Sequence, residues 1–227
     1  LAEGDAPDAT PDHLSSIHDE STTTQYQNDS SAWIYGLPTN VSIQKRAHGD
    51  VAETVTQTVA YTYEPGTSQI ATTTIQPGGD SDTNLVTTFT RANPHGLVTQ
   101  IVKQDKAGAT RTLAIGYDPV WSLFAEKITR GDNLPGHVAI ASTSRVYPAL
   151  GVMAETTDPN GVTTHNRYDT FGRIKTITSD QAGTTTFTYS NPSGSSQMIQ
   201  VAPTGRPMGK IWLDTLGREV VRETQEF

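Results

Sequence analysis

The sequence predicts an all-β fold: a curved antiparallel strip of successive β-hairpins with an irregular N-terminal segment. Three observations point there. Glycine returns on a beat at Gly151, Gly161, Gly172, Gly183, Gly194, Gly205 and Gly217. Many of these close a four-residue group headed by Asp or Asn: Asp158-Pro159-Asn160-Gly161, Asp169-Thr170-Phe171-Gly172, Asp180-Gln181-Ala182-Gly183, Asn191-Pro192-Ser193-Gly194 and Asp214-Thr215-Leu216-Gly217. An Asx side chain hydrogen-bonds its own backbone and glycine tolerates positive φ, so each group suits a type I turn leading into a bulge. The runs between the turns, Val162 to Tyr168, Arg173 to Ser179, Thr184 to Ser190 and Ser195 to Val201, are rich in Thr, Val, Ile, Phe and Tyr. About seven such residues make a strand and too short a helix. A longer period overlies the short one: Tyr147, Tyr168 and Tyr189 recur at about 21 residues, and Leu213 takes the matching place before Gly217. Such a unit cannot bury its own apolar face and must stack on its neighbours.

Taken in order, residues 1–32 read as a polar tail or edge segment dominated by Asp, Pro, Ser, Thr and Ala, with Ser21 to Tyr26 the one strand candidate. Low hydrophobicity there does not offset the entropy of ordering. Trp33-Ile34-Tyr35-Gly36-Leu37 changes the composition abruptly, and its large side chains are expected to enter a core. The repeat domain is therefore placed at 33–227, degenerate over 33–146 and regular over 147–227. Strand patterns follow at Val51 to Tyr63, Gln69 to Gln76, Leu85 to Thr90, Leu97 to Lys103 and Ala109 to Tyr117. Pro77 to Asp82, Asn93-Pro94-His95-Gly96 and Lys106-Ala107-Gly108 separate them as loops. Trp121 to Ile128 is the largest break in the rhythm, and Gly131 to Gly136 reads as a loop before a strand from His137 to Val146. In Thr184 to Ser190, the side chains of Thr185, Phe187 and Tyr189 alternate onto one face. The chain begins at Leu1 and ends in a strand-like Val220 to Phe227, which suggests a piece of a longer polypeptide.

Composition excludes several classes. Lys and Arg total 16 against 24 for Asp and Glu, a net charge of -8 that disfavours nucleic acid as a partner. The absence of cysteine rules out disulfides and thiolate zinc sites. No apolar run reaches the roughly twenty residues of a membrane-spanning helix, so no membrane-spanning segment is expected.

Candidate sites reduce to structure. Asp80-Ser81-Asp82-Thr83-Asn84 opens like a calcium loop, but Leu85 stands where the loop bends on Gly and Arg91 where it needs Glu. Of the histidines His13, His18, His48, His95, His137 and His165, only His13 and His18 lie at a plausible ligand spacing, in a segment too polar to hold them rigid. No phosphate loop, Gly-x-Ser-x-Gly elbow or His-Glu-x-x-His motif is present. Asp158, Asp169, Asp180 and Asp214 recur with the turns, and a catalytic carboxylate is needed once whereas a turn residue is needed at every turn. No catalytic residue, cofactor or metal is expected. Arg173 and Arg218 follow their glycines in matching places and are expected to pair with acidic residues on an adjacent strand. A surface for acidic sugars or a cargo is the alternative. The equal spacing of Tyr147, Tyr168 and Tyr189 predicts a column of rings rather than a stacking platform.

Tyr168-Asp169-Thr170-Phe171-Gly172-Arg173-Ile174, preceded by Asp158-Pro159-Asn160-Gly161-Val162-Thr163-Thr164, resembles the YD-repeat or Rhs-repeat family. Leu213-Asp214-Thr215-Leu216-Gly217-Arg218 matches the same pattern with Leu in place of Tyr. Tyr117-Asp118-Pro119 keeps the dipeptide without Gly-Arg, and Tyr147 to Gly151 keeps Tyr and Gly without Asp. Asn93 to Gly96 and Tyr63-Glu64-Pro65-Gly66 look like worn copies. The resemblance covers Trp33 to Phe227 and is fullest from Asp158 onward. It implies a strip wound into a hollow shell that encloses a C-terminal toxin or effector, in a secreted or cell-surface bacterial protein. This chain would be a wall segment, with the remainder of the parent Rhs-type polypeptide and its enclosed effector as partners. The Asp-Gly-containing autoproteolytic segment that ends such shells has no counterpart here, so no protease activity is expected. The alternative reading is a carbohydrate or cell-surface binding module with surface glycans as partners.

Overall fold

β-branched and aromatic residues between short polar turns favour extended chain over helix, because their side chains pack well on a pleated surface. The computed structural model describes residues 18–47, 54–79, 83–191 and 197–225. Among the described residues it is all-β: sixteen antiparallel strands in one sheet, hydrogen-bonded in chain order. The chain divides into two units, Leu1–Thr88 with Gln104–Gly108, and Phe89–Lys103 with Ala109–Phe227.

The first unit holds β1 (His18–Asp29), β2 (Ile34–Ala47), β3 (Thr54–Tyr63), β4 (Ile70–Ile75) and the start of β5 (Leu85–Thr90). Its register aligns Val41 with Val59, Val59 with Ile75 and Ile75 with Leu85. Directly opposed residues point to the same face, so these side chains form one apolar column. Beyond β4, Gln76 extends the ladder with its side chain. Its backbone N–H donates to the Thr58 carbonyl at 2.7 Å, its Oε1 accepts from the Thr58 N–H at 2.9 Å, and its Nε2 donates to the Thr56 carbonyl at 2.7 Å. The amide group thus stands in for the next peptide unit.

The second unit holds β6 (Gln100–Asp105, up to Lys103), β7 (Thr110–Tyr117), β8 (Ala125–Asp132), β9 (Ile140–Tyr147), β10 (Val152–Thr157), β11 (Thr163–Tyr168) and β12 (Ile174–Ser179). It continues with β13 (Gly183–Ser190), β14 (Gln197–Pro203), β15 (Gly209–Leu213) and β16 (Glu219–Thr224). Tyr189 faces Ile199, which faces Ile211, and Phe187 faces Val201. Threonines pair as well: the hydroxyls of Thr178 and Thr184 lie 3.0 Å apart, and those of Thr157 and Thr163 lie 3.2 Å apart. Such cross-strand pairs are the elementary stabilising contacts of a sheet.

No apolar side chain among the described residues is buried. The expectation that the Trp33 cluster enters a core is therefore corrected: Trp33 is 83% exposed and Tyr35 60% exposed. No buried apolar core among the described residues is there to receive them. The break expected over Trp121 to Ile128 is shorter than its sequence suggests, since β8 begins at Ala125 and runs through Gly131, with His137 in the loop that follows. Ser21 to Tyr26 lies inside β1, which pairs with β2. His13, His48, Gly194 and residues 80–82 of the calcium-like loop fall outside the described residues.

Candidate functional site

Turn chemistry dominates the site residues. Between β11 and β12 the Gly172 N–H donates to the Asp169 carbonyl at 3.0 Å, and the Asp169 N–H donates to the Arg173 carbonyl at 2.8 Å. Oδ1 of Asp169 accepts from the N–H groups of Phe171 and Arg173, each at 2.9 Å. Oδ2 receives the guanidinium of Arg173, from Nε at 2.8 Å and Nη2 at 2.7 Å. Asp214 repeats the arrangement with Leu216 and Arg218, its Oδ2 taking Nε at 2.8 Å and Nη2 at 2.7 Å. The acidic partner of each arginine is thus its own turn's aspartate and not a residue on an adjacent strand, a correction with a plain cause. Glycine at positive φ turns the chain back, and the side chain four places on lies over the carboxylate.

Asp158 keeps only the backbone half, accepting from Asn160 at 2.8 Å and Val162 at 2.9 Å, because valine stands in the arginine's place. Asp180 departs from the pattern. Ser179 pairs directly with Gly183, and the Asp180 N–H reaches the Thr163 carbonyl at 3.1 Å, while the Gln181 N–H donates to Ser179 Oγ at 3.4 Å. The tight hairpin closes one residue early and leaves the Asp180 carboxylate outside the turn's bonding. Gly151, Gly161, Gly172, Gly183, Gly205 and Gly217 all have φ between 64° and 81°.

Charge follows geometry. Partial burial pushes the Asp169 carboxyl up, but the Arg173 N–H, the Arg173 guanidinium and the Phe171 N–H outweigh it and hold it below its ordinary value. At Asp214 the Arg218 N–H and then its guanidinium lower the carboxyl, against a smaller effect of burial. These are carboxylates fixed in the charged form by donors, a state suited to fastening rather than to acid–base work.

The tyrosines complete each hairpin. Tyr168 O–H donates to the Met153 carbonyl at 2.7 Å and Tyr189 O–H to the Ile174 carbonyl at 2.9 Å. Tyr63 and Tyr117 do the same to Pro38 at 2.7 Å and Val98 at 2.8 Å. Tyr63, Tyr117, Tyr168 and Leu213 all stand next to a register shift, leaving Ala71, Glu126, Lys175 and Val220 as the extra residues of the opposing strands. A bulge at a constant place adds twist at a constant interval. The ring column is only partly formed. Tyr147 and Tyr168 meet edge to face with centroids 6.1 Å apart, whereas Tyr189 is covered by the Arg173 guanidinium at 4.3 Å. Arg173 also lies 5.3 Å from the Phe171 ring.

Asp118, in a Tyr-Asp dipeptide that lacks the Gly-Arg of the repeat pattern, has a role that the pattern does not give. Asp118 is 6% exposed, and its carboxylate accepts from the N–H groups of Trp121 at 2.5 Å, Leu123 at 2.9 Å and Phe124 at 2.8 Å. Burial alone raises its pKa, but the amides of Phe124, Trp121, Leu123 and Ser122 bring it down to about 2. Ser122, at φ 55°, takes the left-handed position that glycine fills elsewhere. Asn93 Nδ2 donates to the Ser122 carbonyl at 2.7 Å, and His95 Nε2 lies 2.9 Å from the Trp121 carbonyl, stitching this loop to the neighbouring turn. The signal in the sequence was the Tyr117-Asp118 dipeptide itself.

Two histidines pair with carboxylates, His137 Nδ1 with Asp132 at 2.9 Å and His165 Nδ1 with Glu155 at 3.1 Å. Among the described residues no group of three or more His, Cys, Asp or Glu side chains is placed to hold a metal ion. Nor is any helix among them long and apolar enough to cross a membrane.

No family model matches the chain, and no curated protein matches it. Among solved structures it is similar to a porin-like protein from Bacteroides uniformis, at 18% identity over 92% of this chain and 91% of that one, with a TM-score of 0.34. A likeness that loose carries no argument about function.

Proposed function

We propose that the chain is a wall segment of a YD/Rhs-type repeat shell, a structural strip without enzymatic activity that helps enclose a C-terminal toxin or effector within a larger secreted or surface protein. One observation carries this reading: the sheet adds strand to strand in chain order and buries no apolar side chain among the described residues. A globule closes over its core, whereas a wall leaves its faces for something else to cover. The Asp–Gly–Arg clasp supports the same reading, because a device repeated along the strip serves construction. The tyrosines give a sugar-binding reading little support, since their hydroxyls and rings are engaged within the sheet.

Limited proteolysis of the parent polypeptide tests the proposal. The terminal domain is expected to survive in the intact protein and to be digested once Gly172→Val with Gly217→Val disrupts the strip. Equal digestion in both, or a glycan array showing saturable binding that Tyr168→Ala abolishes without unfolding, would overturn it.

A further inference from the structure

On one face of the second unit the register sets Leu113 opposite Arg130, Arg130 opposite Ile140 and Arg111 opposite Asp132. These residues, with Ile101, Lys103 and Val138, border a groove of about 670 Å³. That lies within the range of roughly 300 to 1,000 Å³ typical of small-molecule sites. Ile101, Leu113, Val138 and Ile140 give it an apolar lining, and Arg130 stands between Leu113 and Ile140 in the register, with Lys103 and Arg111 adding positive charge to the same lining. The one carboxylate there, Asp132, is already engaged. His137 Nδ1 lies 2.9 Å from Oδ2, and the Leu134 N–H donates to Oδ1 at 3.0 Å. The side chains of Lys103 and Arg130 have no hydrogen-bond or ion-pair partner among the described residues. Cations beside an uncovered hydrocarbon lining, in a chain of net charge -8, are a local reversal of the overall field.

We propose that this groove binds a single-chain anionic amphiphile: an alkyl chain along the apolar lining, with a carboxylate headgroup among Lys103, Arg111 and Arg130. A free inorganic anion fits less well, because exposed cations alone hold a charge weakly in water and the apolar lining would stay wet. A polypeptide strand fits less well too. The backbone beneath is already paired from β7 to β8 and from β8 to β9. A strand lying flat on that face would bury its own N–H and C=O groups without partners. An alkyl chain has none to satisfy.

Titration calorimetry with dodecanoate below its micelle threshold tests the site. Saturable one-to-one binding is expected, weakened at least tenfold by replacing dodecanoate with dodecanol and at least tenfold by Lys103→Glu with Arg130→Glu. Arg130→Lys should retain binding, and millimolar inorganic phosphate should not displace the ligand. Both charge-reversed positions are exposed, and a matching circular dichroism spectrum confirms that the variant is folded. Equal affinity for dodecanol, unchanged binding in the charge-reversed variant, or displacement by phosphate alone would each overturn the proposal. Displacement of dodecanoate by an acidic peptide at equal concentration would also overturn it, assigning the groove to a protein partner instead.

Discussion

At Gly172 the backbone stands at φ 76°, and a Cβ built there would meet only Leu150 Cδ2 at 4.0 Å, an ordinary contact. Gly172→Ala therefore costs backbone strain and not a clash, about 1 to 2 kcal/mol. Gly172→Asn is expected to cost less, since Asn visits the left-handed region more readily; chemical denaturation of the two variants compares them. Tyr189→Phe keeps the ring under Arg173 and removes only the bond to the Ile174 carbonyl, so a loss of about 0.5 to 1.5 kcal/mol is expected. Asp118 sets a pH dependence. Its folded carboxyl lies at about 2 against an ordinary 3.8, so the stability it contributes is fully present above the ordinary value and is lost as pH falls through the folded one. Thermal midpoints measured from pH 7 to pH 2 should fall less steeply in Asp118→Asn than in the unchanged protein, with the two curves converging toward the acid end. Parallel curves over that range would mean the amides around Asp118 do not favour its charged form.

Among the elements, the hairpins from β10 onward were legible because their instructions are local: Asp, Gly and Arg fall within five residues of one another and the strands between are uniform in composition. What depended on distance was not. Periodicity points the partner of Arg173 onto the next strand, because it does not say that glycine at positive φ folds the side chain back on its own turn. The start of β8 was hidden by Trp121, Leu123 and Phe124, whose N–H groups turn inward to Asp118 and shorten the loop. The groove brings Leu113 opposite Arg130 through the β7–β8 register, which is fixed by where the Asp118 loop closes, and no local pattern reports that. The Asp169 and Asp214 clasps are otherwise equivalent units, several strands apart, or roughly 19 Å at about 4.8 Å per strand. Gly172→Ala and Gly217→Ala combined should then add to within about 0.5 kcal/mol. A larger discrepancy in the denaturation midpoints of the double variant would mean that strain in one turn is transmitted along the sheet to the other.

For the molecule as a whole, a sheet with no buried apolar side chain among the described residues leaves two kinds of surface available, its faces and its edges. The β16 edge is the more reactive by geometry. Every residue of β16 is exposed, Val220 and Val221 are apolar, and β15 is the one strand it pairs with among the described residues. Its outer N–H and C=O groups are a template for another strand. A single charged clasp stands against that, Arg222 with Glu219 at 2.8 and 2.9 Å, and it lies on the side chains without blocking the backbone. The purified chain is therefore expected to associate with rising concentration in sedimentation velocity, and Val220→Lys with Val221→Lys to reduce that association by placing like charges where two edges would meet. The alternative contact, face to face, would bury the Val41–Val59–Ile75 column and be indifferent to charge at β16. Association that persists unchanged in the lysine variant and weakens instead on Val59→Asp would assign the contact to the face.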